Sequence, residues 1–355
     1  MKQPYRVAIA GCHRMLLHRL TNHNFAAAFH AVPETEMVAV FDLGPETRSE
    51  FLTYWGEMPT YDNYAQMLAE TQPDILCLAT RQTMHADQIE LAAEAGVRGI
   101  LCDKPLATSM NETDRIINAC QTHNVALLFG LDRRHLRPYQ TLRQQLTDGL
   151  VGEVQSVMVH GLPNLINHGC HSYDTTLMLL NDPEPIWVSG FVDDVSAEPP
   201  DSRVHLDPAG RGQIGLDNGV TVYITPDGGR KPSFQILGDK GRLLIFNDAN
   251  EAYLWSTPAD TPADTNTGTQ TAGLQPLDLP PHEDNWPAGP AMVRDLIRAI
   301  ETGTPTVCDI DQARRATEIG FGFHLSHQQN GARVLLPATT RDLSIPSFPW
   351  GNEKE

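Results

Sequence analysis

In the first third of the chain, apolar residues fall in short unbroken runs: Arg6 to Ala10 (RVAIA), Met37 to Asp42 (MVAVFD), Asp74 to Thr80 (DILCLAT), Gly99 to Asp103 (GILCD) and Val125 to Gly130 (VALLFG). Runs of this length, closed by turn residues, are the pattern of strands covered on both faces. Helical spacing fills the gaps at His85 to Ala95 and Asn111 to His123. This alternation predicts an α/β fold with a doubly wound parallel sheet.

From Val154 onward the period changes. VQSVMVHG, IWVSGFV, GQIGLDNGVTVYIT, SFQILGDKGRLLIF and AYLW are strand-like stretches separated by Gly, Asn and Asp. Asp217-Asn218-Gly219 and Gly238 to Gly241 suit hairpin turns, whose left-handed positions favour Asn and Gly. An α+β domain built on an open, mixed and mainly antiparallel sheet is expected here. The Thr-, Pro- and Asp-rich stretch from Thr257 to Thr271 reads as a surface loop. Helices follow around Ala291 to Thr302 and Ile310 to Gln329. The predicted division is residues 1–130 and 131–355, the helix around 310–329 packing back toward the N-terminal domain.

Length supports two domains, because 355 residues exceed what one growing hydrophobic core accommodates. The formal charge of −18 and the absence of any Lys/Arg run disfavour nucleic acid as a partner. A small neutral molecule fits better. No leader-like segment and no membrane-length apolar stretch is evident, so a cytoplasmic protein with no membrane partner is expected. Six cysteines are scattered without a C-x-x-C pair, which suits buried reduced thiols.

Four places carry candidate chemistry. Gly11 ends the first strand and opens the presumed helix, where backbone N–H groups can meet a pyrophosphate. His13 and Leu16 stand where a dinucleotide fingerprint has glycines, so an ordinary β-α turn explains Gly11 equally well. His13, Arg14 and His18 are alternative phosphate donors. Asp42 ends the second strand, where an acidic residue binds ribose hydroxyls and repels a 2′-phosphate, favouring NAD over NADP. The same Asp also suits a plain turn before Gly44-Pro45. Asp103-Lys104-Pro105 puts a lysine at the carboxyl end of a parallel strand, the edge at which such sheets bind ligands. Taken alone it reads as readily as a surface turn. In Asn167-His168-Gly169-Cys170-His171-Ser172-Tyr173-Asp174, His171 and Asp174 share a helix face if the helix has begun, and an imidazole can take a proton near neutral pH. His160, His168 and His171 lack an acidic or thiol ligand to complete a metal site, so no metal is expected.

In this order and spacing these stretches resemble the Gfo/Idh/MocA family of glucose-fructose oxidoreductase and inositol dehydrogenase-like enzymes. LATRQTMHADQIELAAEAGVRGILCDKPLATS looks like the family's third and fourth strand region, with Arg81 in place of a Pro and Asp103-Lys104-Pro105 in place of E-K-P. LLFGLDRRHLRP looks like the segment after the fifth strand, and GCHSYD matches G-x-H-x-x-D. The run from Met292 to Pro337 is also typical. The resemblance implies a Rossmann domain followed by an open sheet on which members often form homo-oligomers, here a dimer or tetramer. It implies dinucleotide contacts at Gly11, Cys12, His13, Arg14, Asp42, Ala79, Thr80, His85, Asp103 and Lys104. It further implies that Lys104 and His171 flank the reacting hydroxyl. Asn167 stands where many members have an Asp, and Asn orients a hydroxyl but cannot accept its proton. His168, Asp174 and Arg134 are the expected substrate contacts.

The resulting expectation is NAD-dependent oxidation of a secondary hydroxyl, or reduction of the ketone, on a sugar, sugar derivative or cyclitol. Lys104 would stabilise the alkoxide and His171 take the proton. Two alternatives use the same residues. In one, tightly bound NAD is used transiently for epimerisation or for glycoside cleavage by oxidation and elimination. In the other, the fold binds a sugar or dinucleotide without catalysis.

Overall fold

The computed structural model describes residues 3–199, 202–225, 231–256, 273–283 and 285–346. The expected loop from Thr257 to Thr271 lies outside the described residues. The chain forms two compact units: residues 1–135, 283–317 and 341–355 in the first, 136–282 and 318–340 in the second. Both are discontinuous in sequence, since two C-terminal segments return to the first unit.

The first unit contains a six-stranded, wholly parallel sheet of β1 (Tyr5–Ala10), β2 (Thr35–Phe41), β3 (Thr60–Tyr61), β4 (Ile75–Leu78), β5 (Gly99–Cys102) and β6 (Ala126–Phe129). The order is β3-β2-β1-β4-β5-β6. Consecutive residues of β4 and β5 are all buried, as a sheet covered on both faces requires. Helices Pro45–Trp55, Tyr64–Thr71, His85–Glu94 and Met110–His123 connect the strands. Ala288–Thr302, from the far end of the sequence, packs beside β5 and β6. Gly99 makes room for it, because a Cβ there would lie 2.5 Å from Cδ1 of Ile300.

The β1–β2 connection departs from expectation. No helix opens at Gly11; the crossover helix begins at Phe25 and has only six residues, Phe25–His30. Local hydrogen bonds explain the delay. Asn24 accepts the N–H of Ala27 as N-cap, while its Nδ2 donates to the carbonyls of Leu17 and Arg19, both at 2.8 Å. The Trp55 indole N–H donates to the Met15 carbonyl at 2.7 Å. Carbonyls that would continue a helix are thereby used by side chains.

The second unit carries a nine-stranded mixed sheet. Its strands are β7 (Val154–His160), β8 (Pro185–Val192), β9 (Gly210–Leu216), β10 (Thr221–Thr225), β11 (Ser233–Gly238), β12 (Gly241–Phe246), β13 (Glu251–Ser256), β14 (Gly273–Pro276) and β15 (Val334–Leu335). The order is β14-β13-β12-β11-β7-β10-β9-β8-β15. Among the described residues of this sheet, only β7 and β10 pair in parallel. Both predicted hairpins are present, β9–β10 and β11–β12. One face is buried through Val188, Ile214, Val222, Val157, Ile236 and Leu243. The registers put Tyr223, Phe246 and Trp255 on the opposite face, where each keeps more than a third of its surface exposed. Among the described residues no helix is long and apolar enough to cross a membrane.

Gly11 and Gly96 separate two demands on glycine. Both have positive φ, +81° and +86°, but a Cβ on Gly11 would lie 2.5 Å from the Ala79 carbonyl oxygen whereas nothing lies within 4 Å at Gly96. Gly96→Ala should cost about 1–2 kcal/mol, the left-handed penalty alone. Gly11→Ala should cost roughly 2 kcal/mol more, through the overlap with backbone. Urea unfolding of both variants checks the difference; equal losses would mean that the two loops can separate freely.

Candidate active site

Strand order reverses between β1 and β4, the place where open α/β sheets form a ligand crevice outside their carboxyl ends. Gly11 is pressed there against the Ala79 carbonyl and the Thr80 amide. On one side, Asp42 follows β2. Its Oδ2 accepts the Cys12 amide at 3.0 Å and its Oδ1 the Gly44 amide at 2.9 Å. The Cys12 thiol also points at Oδ2, at 3.6 Å, and burial, reinforced by Asp42, pushes that thiol up, so it stays protonated. The carboxylate is therefore fixed at both oxygens. Arg48 donates to the Asp42 carbonyl and faces Asp62 at 3.9 Å.

On the other side, the segment after β5 is buried throughout, Asp103 at 5% and Lys104 at 3% exposure. Asp103 Oδ1 accepts the Lys104 amide at 2.8 Å and lies 3.2 Å from His23 Nδ1; Oδ2 lies 3.7 Å from the Arg14 guanidinium. Burial alone would raise the Asp103 carboxyl, but His23, Lys104 and Arg14 outweigh it and hold the group well below the usual carboxylate range. Burial, with this charge beside it, pushes the thiols of Cys77 and Cys102 up. A reciprocal cap ends the segment: Ser109 accepts the Glu112 amide at 3.1 Å, and Glu112 accepts the Thr108 amide and hydroxyl, both at 2.7 Å.

His85 is fully buried, its ring nitrogens 3.0 and 3.2 Å from the carbonyls of Leu106 and Thr80. Burial lowers its pKa, and a neutral ring has one N–H to give, so it serves one carbonyl at a time. The ring stands between the loops after β4 and β5, with one carbonyl of each within hydrogen-bond reach. His13 is exposed, and Ala79 and Thr80 are half-buried. His18 packs edge-on against Tyr54 and Trp55. Arg134 is buried at 5% in the turn Asp132–His135.

In the second unit, helix Gly169–Leu179 has begun before His171, which puts His171 and Asp174 on adjoining positions of one face. Tyr173 packs over Gly169, where a Cβ would lie 2.8 Å from its hydroxyl. The loop entering the helix hangs on a residue that the sequence did not single out. Asp207, 2% exposed, accepts the Ile166 amide at 2.9 Å and the Asn167 amide at 2.8 Å. Asn164 holds the His168 amide at 2.6 Å. Asp207 sits about 40 residues from its partners in a stretch without periodicity, so no local signal marks it. His160 is set in the sheet between Thr225, at 2.6 Å, and Gln235. Among the described residues no cluster of three or more His, Cys, Asp or Glu side chains is arranged to hold a metal ion.

Residues 5–131 match the model of the oxidoreductase family with an NAD-binding Rossmann fold, Gfo/Idh/MocA. The chain is 28% identical over 166 residues to a dTDP-3,4-didehydro-2,6-dideoxy-alpha-D-glucose 3-reductase of Saccharopolyspora spinosa, covering 46% of this chain and 48% of that protein. It is 28% identical over 148 residues to a D-apiose dehydrogenase of Paraburkholderia graminis, covering 42% and 38%. These matches span less than half of either relative's own length. In fold, it is similar to an oxidoreductase from Agrobacterium radiobacter solved with NAD+, L-tartaric acid and magnesium, with a TM-score of 0.76, 16% identity and coverage of 94% and 99%. Residues 5–131, within the first unit, thus carry the NAD-binding Rossmann fold of the Gfo/Idh/MocA oxidoreductases.

Proposed function

We propose that this protein is an NAD-dependent dehydrogenase acting on a secondary hydroxyl of a sugar or cyclitol. The observation that carries the reading is the placing of Lys104, buried, at the carboxyl end of β5, two strands from the glycine turn where the sheet order reverses. The residues around that turn fit a dinucleotide. Gly11 lets the backbones of two loops meet at the crevice, and Asp42 offers a carboxylate whose direction two amides have set. Ribose hydroxyls donate to such a carboxylate, while a 2′-phosphate meets its charge. Arg48 is engaged with Asp42's own carbonyl, which favours NAD over NADP. A bound nicotinamide supplies the hydride acceptor.

In this reading Lys104 stabilises the alkoxide as it develops, and His171 takes the hydroxyl proton. Asn167 orients the hydroxyl, and His168, Asp174 and Arg134 contribute to binding the polyol. A sugar substrate accords with the names of the two relatives, one for a glucose derivative and one for D-apiose. The exposed aromatic face of the nine-stranded sheet suits pairing with a second copy.

Absorbance at 340 nm with NAD and a panel of sugars and cyclitols tests the reading: reduction in proportion to substrate is expected. Lys104→Met should lower kcat by about 10²–10⁴-fold with NAD affinity little changed; unchanged turnover would remove Lys104 from the chemistry. Activity without net NAD consumption would indicate transient use of the cofactor instead.

Asp42→Ala should weaken NAD binding by about 10–100-fold, the worth of a hydrogen bond to a charged group, and raise the relative affinity for NADP. Calorimetric titration with both dinucleotides decides this, and an unaltered preference would place the ribose elsewhere. Asp207→Ala removes the acceptor of two loop amides. It should raise KM for the sugar and lower kcat while leaving the Kd for NAD unaltered; loss of NAD binding would contradict a role confined to the second unit's loop.

A further inference from the structure

We propose that Asp103, Arg14 and His23 form a latch that stands in for the missing first turns of the crossover helix, holding the glycine-turn loop on the end of β5 and fixing Lys104 in the same act. Its catalytic consequence rests on the dehydrogenase reading above; the latch itself does not.

Residues 12–24 make no helix, and their ends are tied in two places. Cys12 is bound to Asp42, and Asn24 caps the short helix while gathering the carbonyls of Leu17 and Arg19. Arg14 and His23, near opposite ends of this loop, converge on one carboxylate. That carboxylate is 5% exposed, so its charge is tolerable only when paired. The oxygen that faces His23 also accepts the Lys104 amide. Displacing the loop therefore strips one partner from the group that sets the backbone of Lys104. Room for the cluster comes from Gly130 at the end of β6, where a Cβ would lie 3.3 Å from the Asp103 Cα and 3.5 Å from Oδ1. His23 holds a left-handed backbone, φ 68°, one of the few such conformations that histidine adopts more readily than most residues.

Arg14, His23 and Asp103 are thus positioning residues. In the dehydrogenase reading the group that meets the substrate is Lys104, and the latch acts through it and through the loop that would border the dinucleotide phosphates.

Hydrogen exchange on the cofactor-free protein tests the latch directly. Arg14→Gln and His23→Ala should each speed exchange of the amides between residues 13 and 23 by tenfold or more, leaving β4 amides at the wild-type rate. His23→Asn, which keeps a donor near the Nδ1 position, should restore much of the protection. In turnover, His23→Ala should raise KM for NAD and lower kcat together, and His23→Asn should recover both. Unchanged exchange in the loop, or acceleration spread evenly over the whole sheet, would overturn the proposal, the second because it signals general destabilisation. Failure of the wild-type protein to bind NAD would remove the dehydrogenase reading, and the exchange data would still decide the latch.

Discussion

Everything proposed for the first unit depends on how closely two strand ends approach at the reversal of the sheet. The turn after β1 and the loop after β4 meet with backbone against backbone at Gly11, leaving no space for a side chain. A residue with a Cβ would have to push the Ala79 carbonyl aside, and with it the Thr80 carbonyl that, with the Leu106 carbonyl after β5, faces the buried His85 ring. Position along three neighbouring strand ends is consequently coupled through one glycine. The long-range order of the crevice comes from backbone sterics first and from side-chain chemistry second.

The second requirement is electrostatic. Taking the Asp103 carboxylate out of water opposes its ionisation, yet cations on two sides keep it charged. Such an arrangement is a weak source of net stability, because desolvation offsets the attraction. Its value lies in specifying one arrangement: a buried carboxylate faced by an amide, an imidazole and a guanidinium admits few alternatives. Asp42 follows the same logic at the other side of the crevice, with two amides and a thiol as its donors. In both cases the carboxylate is immobilised by backbone N–H groups of its own or a neighbouring loop, so direction as well as charge is set before any ligand arrives.

Much of this was legible in the sequence because strand interiors and hairpin turns are encoded locally. The apolar runs at RVAIA, DILCLAT, GILCD and VALLFG became β1, β4, β5 and β6, and Asp217-Asn218-Gly219 became a hairpin. The helix expected at Gly11 failed for an equally physical reason. Asn24 nearby and Trp55, 40 residues from its partner, capture carbonyls that a helix would have used. The strand β3, two residues long, carries too few positions for a pattern to register. Among the candidate site residues, Lys104 and His171 stood out because strand ends and helix starts have local signatures. Asp207 and His23 did not, since each matters only through a partner 40 or 80 residues away.

The loss of the helix and the presence of the ion cluster answer each other. A helix N-terminus offers a dinucleotide a diffuse positive end of roughly half a charge, spread over several amides. Without it, the loop after Gly11 must find its order and its positive potential elsewhere. Arg14 contributes both, but Asp103 beside it contributes an opposing charge that would repel a pyrophosphate if left alone. Sharing the carboxylate eases the conflict: His23 faces one Asp103 oxygen and Arg14 the other, and the Arg14 guanidinium stays 23% exposed on the loop. A loop ordered by such a cluster is more sensitive to the identity of single residues than one ordered by a helix, whose many amides share the load.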